Sequence, residues 1–299
     1  MTRIKVRYSE TDMRLDRWLK IHYPSVTHSY LEKLIRKKYI TVNGKKAKSS
    51  DKVKNKQEIF VPNIKIKLEN QNLKNKYFPK IFVSKIKKSI LYSDKEIIVI
   101  NKPHNVAVQG GTGLTKHIDG ILDYLKFGNT NERPRIVHRL DKETTGVLLI
   151  ANTRLSAKKI SDQFQQRKIK KEYWALVRGV PLKKSGRIEN LFYDKNKSPV
   201  KTITDFKVLK VFQGKFSWLR LDPITGKKHQ LRKDCQKMGC PIVGDRKYPS
   251  AVARSDIISK NKLHLHARKI FFKISGRGVS FEAPLPLHMK RRWEEFKWI

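Results

Sequence analysis

The chain is poor in cysteine, poor in acidic residues and free of long apolar runs. Its two cysteines, Cys235 and Cys240, in 299 residues supply neither a disulfide framework nor a four-ligand zinc set. His229, His264 and His266 lie near enough in the chain to supplement them, but the spacing matches no common zinc signature, so two reduced, structurally placed thiols and no metal are expected. No segment approaches the ~18 uninterrupted apolar residues of a membrane span, and Met1-Thr2-Arg3-Ile4-Lys5-Val6-Arg7 lacks a signal-peptide core. A soluble, cytoplasmic protein without membrane contact is the expectation. Gly110, Gly111 and Gly113 are followed by no Gly-Lys-Ser/Thr, and no Gly-x-Gly-x-x-Gly opens a helix after a strand, which excludes the usual phosphate loops and a nucleotide cofactor bound by them.

Acid is scarce against base: 26 Asp plus Glu face 68 Lys plus Arg, for a formal net charge of +42. A protein so basic is suited to a polyanion, because each phosphate it neutralises releases a condensed counterion. A source that favours Lys, Asn and Ile would explain part of the excess. The cations nevertheless gather beside the two segments that carry the motifs below.

Residues 13–61 read as one small unit. Leu15, Trp18 and Leu19 share a helical face, with Arg14, Arg17 and Lys20 left outward. Ser29-Tyr30-Leu31-Glu32 has the form of a capping box and predicts the start of a second helix, with Leu31, Leu34 and Ile35 on its apolar face. Tyr39 to Val42 alternates like a strand and stops at Asn43-Gly44, the dipeptide of a tight hairpin; Gln57 to Val61 gives another strand. Residues 62–88 lack sustained periodicity and read as a linker with a possible strand at Ile64 to Leu68. Over 89–299, β-type runs at Ile97–Ile100, Val147–Ile150, Tyr173–Val177, Phe216–Leu221 and Lys269–Ile274 are interleaved with helical patterns at Gly120–Lys126, Arg154–Gln166, His229–Met238 and Leu287–Lys297. That mixed order argues an α+β fold with a large mixed sheet flanked by helices.

The densest chemistry lies in Arg135-Ile136-Val137-His138-Arg139-Leu140-Asp141-Lys142-Glu143-Thr144-Thr145-Gly146, where one carboxylate is set among cations between two apolar runs. A carboxylate nucleophile must be ionised yet poorly hydrated, so it needs a fixed cation beside it. Arg232, in Thr225-Gly226-Lys227-Lys228-His229-Gln230-Leu231-Arg232, is the candidate; a buried structural ion pair would account for that arginine equally well. In Lys170-Lys171-Glu172-Tyr173-Trp174-Ala175-Leu176-Val177, a strand pattern puts Tyr173, Ala175 and Val177 on one face, which by itself reads as core. On an extended segment Arg139 and Asp141 point the same way.

These segments resemble the RluA/RluC/RluD family of pseudouridine synthases, and with Ile97-Ile98-Val99-Ile100-Asn101-Lys102-Pro103, Ala107-Val108-Gln109-Gly110-Gly111-Thr112-Gly113, Leu263-His264-Leu265-His266-Ala267 and Phe281-Glu282-Ala283-Pro284-Leu285-Pro286 the likeness covers nearly the whole chain. The Gly-Gly-Thr-Gly form looks most like the RluC branch. The resemblance implies a catalytic domain with a large, mainly antiparallel mixed sheet. It implies Asp141 as nucleophile, Arg232 as its partner, Tyr173 beside the target base, and Arg139 entering the RNA helix where a uridine has left the stack. Leu231 and His138 are expected near the RNA, His138 as an orienting residue without a proton to transfer. The N-terminal unit resembles the αL RNA-binding module of a ribosomal small-subunit protein, with Arg14 and Arg17 as RNA contacts. Thr27-His28 replaces its usual Ser-Arg, Lys38 replaces a glycine, and His104-Asn105 and Asp234 also depart from the pattern.

The family likeness implies isomerisation of uridine to pseudouridine in large-subunit ribosomal RNA by a monomer, without cofactor or metal. The alternative is a catalytically silent ribosome-assembly or RNA-binding protein on the same scaffold, against which intact Asp141, Tyr173 and Arg232 weigh. A third, base-removing hydrolysis, would also use a carboxylate, but would change the mass of the product.

Overall fold

The structure is a computed structural model describing residues 2–24, 26–63, 78–111, 116–126, 128, 132–193, 198–249 and 262–295. The chain separates into two compact units, Met1–Asn75 and Lys76–Ile299. Among the described residues no helix is long and apolar enough to cross a membrane. The expected strand at 64–68 lies outside the described residues.

In the first unit a four-stranded antiparallel sheet, formed by β1 (Thr2–Lys5), β2 (Thr41–Val42), β3 (Lys45–Lys46) and β4 (Glu58–Val61), accompanies α1 (Leu15–His22) and α2 (His28–Arg36). The strand order is β1-β4-β2-β3. The amphipathic spacing does its work: Leu15, Trp18 and Leu19 meet Leu31, Leu34 and Ile35 in one core with Ile40, Ile59 and Val61, and burying such side chains contributes ~1.5–3 kcal/mol each. The second helix starts earlier than the capping-box reading places it. Its cap is Thr27, whose hydroxyl accepts from the Tyr30 amide at 3.4 Å. Asn43 and Gly44 both take positive φ, 49° and 74°, the mirror-image turn that a two-residue hairpin requires. Lys38 sits at φ 65° just after α2, so the position where the related module has glycine keeps its left-handed backbone with a lysine in place.

The second unit opens with α3 (Lys80–Lys87), inside the stretch read as linker. Its sequence gives weak periodicity, but Phe82 and Ile86 are buried against the sheet, and that packing, rather than propensity, makes the helix. The strands that follow are β5 (Ile90–Ser93), β6 (Ile97–Lys102), β7 (Arg135–Ile136), β8 (Thr145–Ala151), β9 (Lys170–Arg178), β10 (Ser185–Tyr193), β11 (Pro199–Phe212), β12 (Phe216–Pro223), β13 (Leu265–Ile274) and β14 (Arg277–Glu282). A 3-10 helix spans Asp119–Leu125, and α4 (Arg154–Gln165), α5 (Gln230–Lys237) and α6 (Leu287–Glu295) complete the unit. Ten strands form one sheet in the order β10-β11-β12-β9-β13-β8-β6-β5, with β14 on β13 and β7 on β8. Every pairing is antiparallel except β13 with β8. The mixed, mainly antiparallel sheet of the α+β reading is therefore present.

The central strands are buried on both faces. Ile98, Ile100, Leu148 and Ile150 point to one side, under α3 and the 3-10 helix; Ile97, Val99, Val147 and Leu149 point to the other, where Ile160 of α4 covers them. On the first side Tyr173 and Leu140 join the core, and farther along Ala175, Val177, Leu219 and Leu221 meet Leu231 and Cys235 of α5. The parallel contact of β8 with β13 depends on Gly146 at φ 108°, where a Cβ would lie 2.2 Å from the Ala267 carbonyl oxygen. The two covered regions of this face leave a gap above Tyr173, and the site occupies it.

Candidate active site

Asp141 ends the segment that feeds the buried strand β8. Its carbonyl accepts from the Thr144 amide at 3.1 Å, so 141–144 form a turn just past the Arg139–Asp141 stretch. Two anchors hold this turn. Thr145 Oγ1 bonds His266 Nδ1 on β13 at 2.8 Å. Lys102, fully buried at the end of β6, donates from Nζ to the carbonyls of Pro103, Val106 and Lys142 at 3.0, 2.8 and 3.0 Å. Burial pulls this ammonium down to about 7, against the opposing pull of the Asp141 charge.

The other wall comes from α5 and the loop before it. Gln230 Oε1 accepts from Thr225 Oγ1 and the Lys227 amide at 2.8 and 3.0 Å, which shapes the loop. Asp234 is buried inside α5 and accepts from Asn190, Thr202 and Thr204 at 2.8, 3.0 and 2.8 Å. The family departure at 234 thus serves as an internal tie between α5 and the β10–β11 hairpin. Arg232 is buried, and its fork is spent on Asp245: Nε and Nη2 donate at 2.7 and 2.6 Å. Asp141 receives a different edge of the same guanidinium, with Nη1 at 4.0 Å from Oδ2, and Glu143 lies 3.4 Å from Nη2. Burial works against the arginine's charge, but its hydrogen bonds to Asp245 and the charges of Asp245, Glu143 and Asp141 outweigh it and hold the guanidinium above its usual value. Arg232, expected as the partner of Asp141, thus stands beside that carboxylate but gives its fork to Asp245.

Arg139, Leu140, Asp141, Thr144, Tyr173, Leu231, Arg232 and the 225–230 loop line a cleft of about 220 Å³. Drug-sized ligand sites run ~300–1,000 Å³, so this one suits a single nucleobase. Burial, and then the charge of Asp141, push the Tyr173 phenol well above the ordinary tyrosine range, so at neutral pH it is a hydroxyl donor and not a base. Arg139, Lys227 and Lys228 are exposed at the rim. Of the residues singled out in the sequence, Asp141, Tyr173, Arg232, Arg139 and Leu231 meet here.

His138 does not line the cleft. Its Nε2 accepts from the Leu149 amide at 2.8 Å and its ring stacks on Phe164 at 4.9 Å, with burial first and Lys171 second holding it down to about 3. It is a neutral peg that ties β8 to α4. Arg14 and Arg17 belong to the first unit: Arg14 is exposed and pairs with Asp16 at 2.6 Å, and Arg17 is exposed on α1. Three further residues of the site stand in or just after the segments that carry the resemblance, but their parts in it come only from the structure. Asp245, in the Gly239–Asp245 continuation of the Arg232 segment, takes the arginine's fork; Lys102, in the Ile97–Pro103 segment, ties three carbonyls; and His229, in the Arg232 segment itself, faces Asp141.

Residues 96–237 match the RNA pseudouridylate synthase family model, and residues 13–59 match the S4 domain. The chain is 36% identical over 300 residues to a ribosomal large subunit pseudouridine synthase C of Rickettsia felis, covering 94% of this chain and 96% of that protein. To the protein of the same description in Buchnera aphidicola it is 31% identical over 306 residues, with 95% of each covered. The solved structure of human RNA pseudouridylate synthase domain containing 4 superposes with a TM-score of 0.64 at 26% identity, covering 73% of this chain and 96% of that one. The chain belongs to the RNA pseudouridylate synthase family. It is an isomerase, and it carries an S4 domain ahead of the catalytic unit.

Proposed function

We propose that this protein converts specific uridines of large-subunit ribosomal RNA to pseudouridine, with Asp141 as the nucleophile. The observation that carries the reading is the setting of Asp141: a carboxylate at the cleft wall, beside a buried arginine whose fork is locked elsewhere, with a neutral tyrosine below it. The reaction breaks the bond from N1 to C1′, turns the base and joins C5 to C1′; C5 gives up its proton and N1 gains one, so atoms and oxidation state are conserved.

In this reading Arg232 supplies a fixed positive charge beside the attacking carboxylate of Asp141. Tyr173 lies under the base as a stacking surface and a donor. Arg139, exposed at the rim, fills the stack that the uridine leaves, its planar guanidinium replacing the lost base contacts. Lys227 and Lys228 meet the flanking phosphates. Pseudouridine maps of ribosomal RNA from cells with and without this gene test the proposal: specific large-subunit sites are expected to vanish on deletion and return on complementation. An unchanged map would favour the silent RNA-binding alternative.

The S4 domain takes RNA through its basic helix face, and the two arginines there are not equal. Arg14 is already neutralised by Asp16, whereas no ion pair of Arg17 is recorded among the described residues. Arg17→Ala in the full chain is expected to weaken RNA binding and to flatten the plot of log affinity against log salt by about 0.7, one phosphate contact on single-stranded RNA. Arg14→Ala should change the slope less. Equal slopes for Arg17→Ala and the parent would remove Arg17 from the RNA interface.

A further inference from the structure

We infer that His229 is a positioning residue for Asp141, presenting an Nε2–H to the carboxylate because Tyr248 occupies its other ring nitrogen. The inference rests on Asp141 being the nucleophile.

The backbone is the first observation. His229 caps α5 at φ 55° and ψ 25°, a left-handed conformation that glycine adopts freely and histidine adopts against its sterics. Such strain persists where the surroundings impose it, and it collects at functional sites. Nothing in the capping of α5 uses the imidazole, since its side chain makes no cap hydrogen bond. The imidazole is therefore free to make its contacts away from the helix end.

Its partners say what. Nδ1 lies 3.0 Å from the Tyr248 hydroxyl, with the two rings edge to face at 5.7 Å. Nε2 lies 3.7 Å from Asp141 Oδ1. A neutral imidazole carries one N–H. If Tyr248 donates to Nδ1, the proton stays on Nε2 and faces the carboxylate; the opposite tautomer would aim a lone pair at an anion. The charge of Asp141 therefore selects the first arrangement. Arg232 Nη1 addresses the other oxygen, Oδ2, at 4.0 Å. The two carboxylate oxygens thus see two donors, one from the cap of α5 and one from its first turn. Both separations exceed a hydrogen bond, so the carboxylate is oriented while its lone pairs stay open for attack.

The charged groups facing this ring are Asp141 across the cleft, Arg232 on α5, Lys228 in the preceding loop and Lys247 beside Tyr248. Burial first, and the three cations, hold the imidazole below its ordinary value against the pull of Asp141. His229 is accordingly neutral at neutral pH. Acid converts it to an imidazolium that pairs with Asp141 and withholds its lone pairs, so activity is expected to fall on the acid side.

Four full-length variants test this in steady-state tritium release over a range of RNA concentrations: His229→Gly, His229→Ala, His229→Gln and Tyr248→Phe. Glycine relieves the backbone, so a purely structural role would leave His229→Gly at least as active and as stable as the parent. The expected result is a kcat roughly 10-fold down for both Gly and Ala, the scale of a misaligned nucleophile rather than of a lost hydrogen bond, with KM within about twofold of the parent. Gln is expected to recover most of the rate, because its amide offers an N–H at a similar reach, and to flatten the acid limb because it does not titrate. Tyr248→Phe should fall between. Parental kcat in His229→Gly, or Gln no better than Ala, overturns the inference. Asp141→Asn measured alongside separates the two readings: an active Asn protein sinks the nucleophile assignment itself, whereas an inactive one with an active His229→Gly sinks only the role of His229.

Discussion

Asp141→Asn is expected to stop pseudouridine formation while leaving a folded, RNA-binding protein. The side chain is about a quarter exposed, and its nearest charged neighbours stand at 3.7 and 4.0 Å, so the amide replaces it without orphaning a buried partner. The stability change should stay within about 0.5 kcal/mol. The rate is another matter. Asparagine keeps the shape and removes both the charge and the nucleophilic oxygen pair, and deleting a covalent nucleophile costs on the order of 10⁴–10⁶-fold. RNA affinity should hold or rise slightly, because one carboxylate fewer faces the phosphates. Tritium release from uridine labelled at C5 reads the new carbon–carbon bond directly. A rate near that of the parent would remove Asp141 from the chemistry.

What the chain disclosed in advance follows from which physical signals are local. Trp18 and Leu19 on one helical face, Asn43-Gly44 at a hairpin, and the uninterrupted apolar runs of β6 and β8 declare their structure within a few residues, and each appears where its spacing puts it. The helix Lys80–Lys87 declares nothing, because Phe82 and Ile86 become meaningful only when the sheet is there to receive them. The capping box at Ser29 is a local pattern that loses to Thr27, two residues earlier. In the site, Asp141 and Arg139 stand out because one dense motif holds both, whereas Tyr173 on its strand reads as core and joins the candidate site only through the family resemblance. His138 stands in the same motif yet turns its ring to Leu149 and Phe164; adjacency in sequence does not say which face of a turn a side chain takes. Arg232 was recognisable as a buried cation, but its main partner was not, since the pairing with Asp245 is made by the path of the chain after α5.

That pairing changes what Arg232→Ala is expected to do. The guanidinium side chain is 4% exposed and the Asp245 carboxylate 0%; removing the arginine leaves Asp245, among the described residues, with the Lys247 and Tyr248 amides, at 2.9 and 3.0 Å. Breaking a buried pair from one side costs ~3–5 kcal/mol, so Tm should fall by roughly 10 °C in addition to the loss of activity. Stability and catalysis must then be separated, and Asp245→Asn separates them. It keeps the positive charge near Asp141 but loosens the fork that fixes its direction. If position matters as well as charge, kcat should drop by about tenfold, equivalent to ~1.4 kcal/mol in the transition state, with KM little changed, although Asp245 reaches no substrate. Lysine at 232 should rescue poorly for the same reason, having charge without a fork. Assays run well below each variant's Tm decide the matter. An Arg232→Ala protein with the parental rate would leave Asp141 needing no fixed cation, and an Asp245→Asn protein with the parental rate would show that the charge alone suffices.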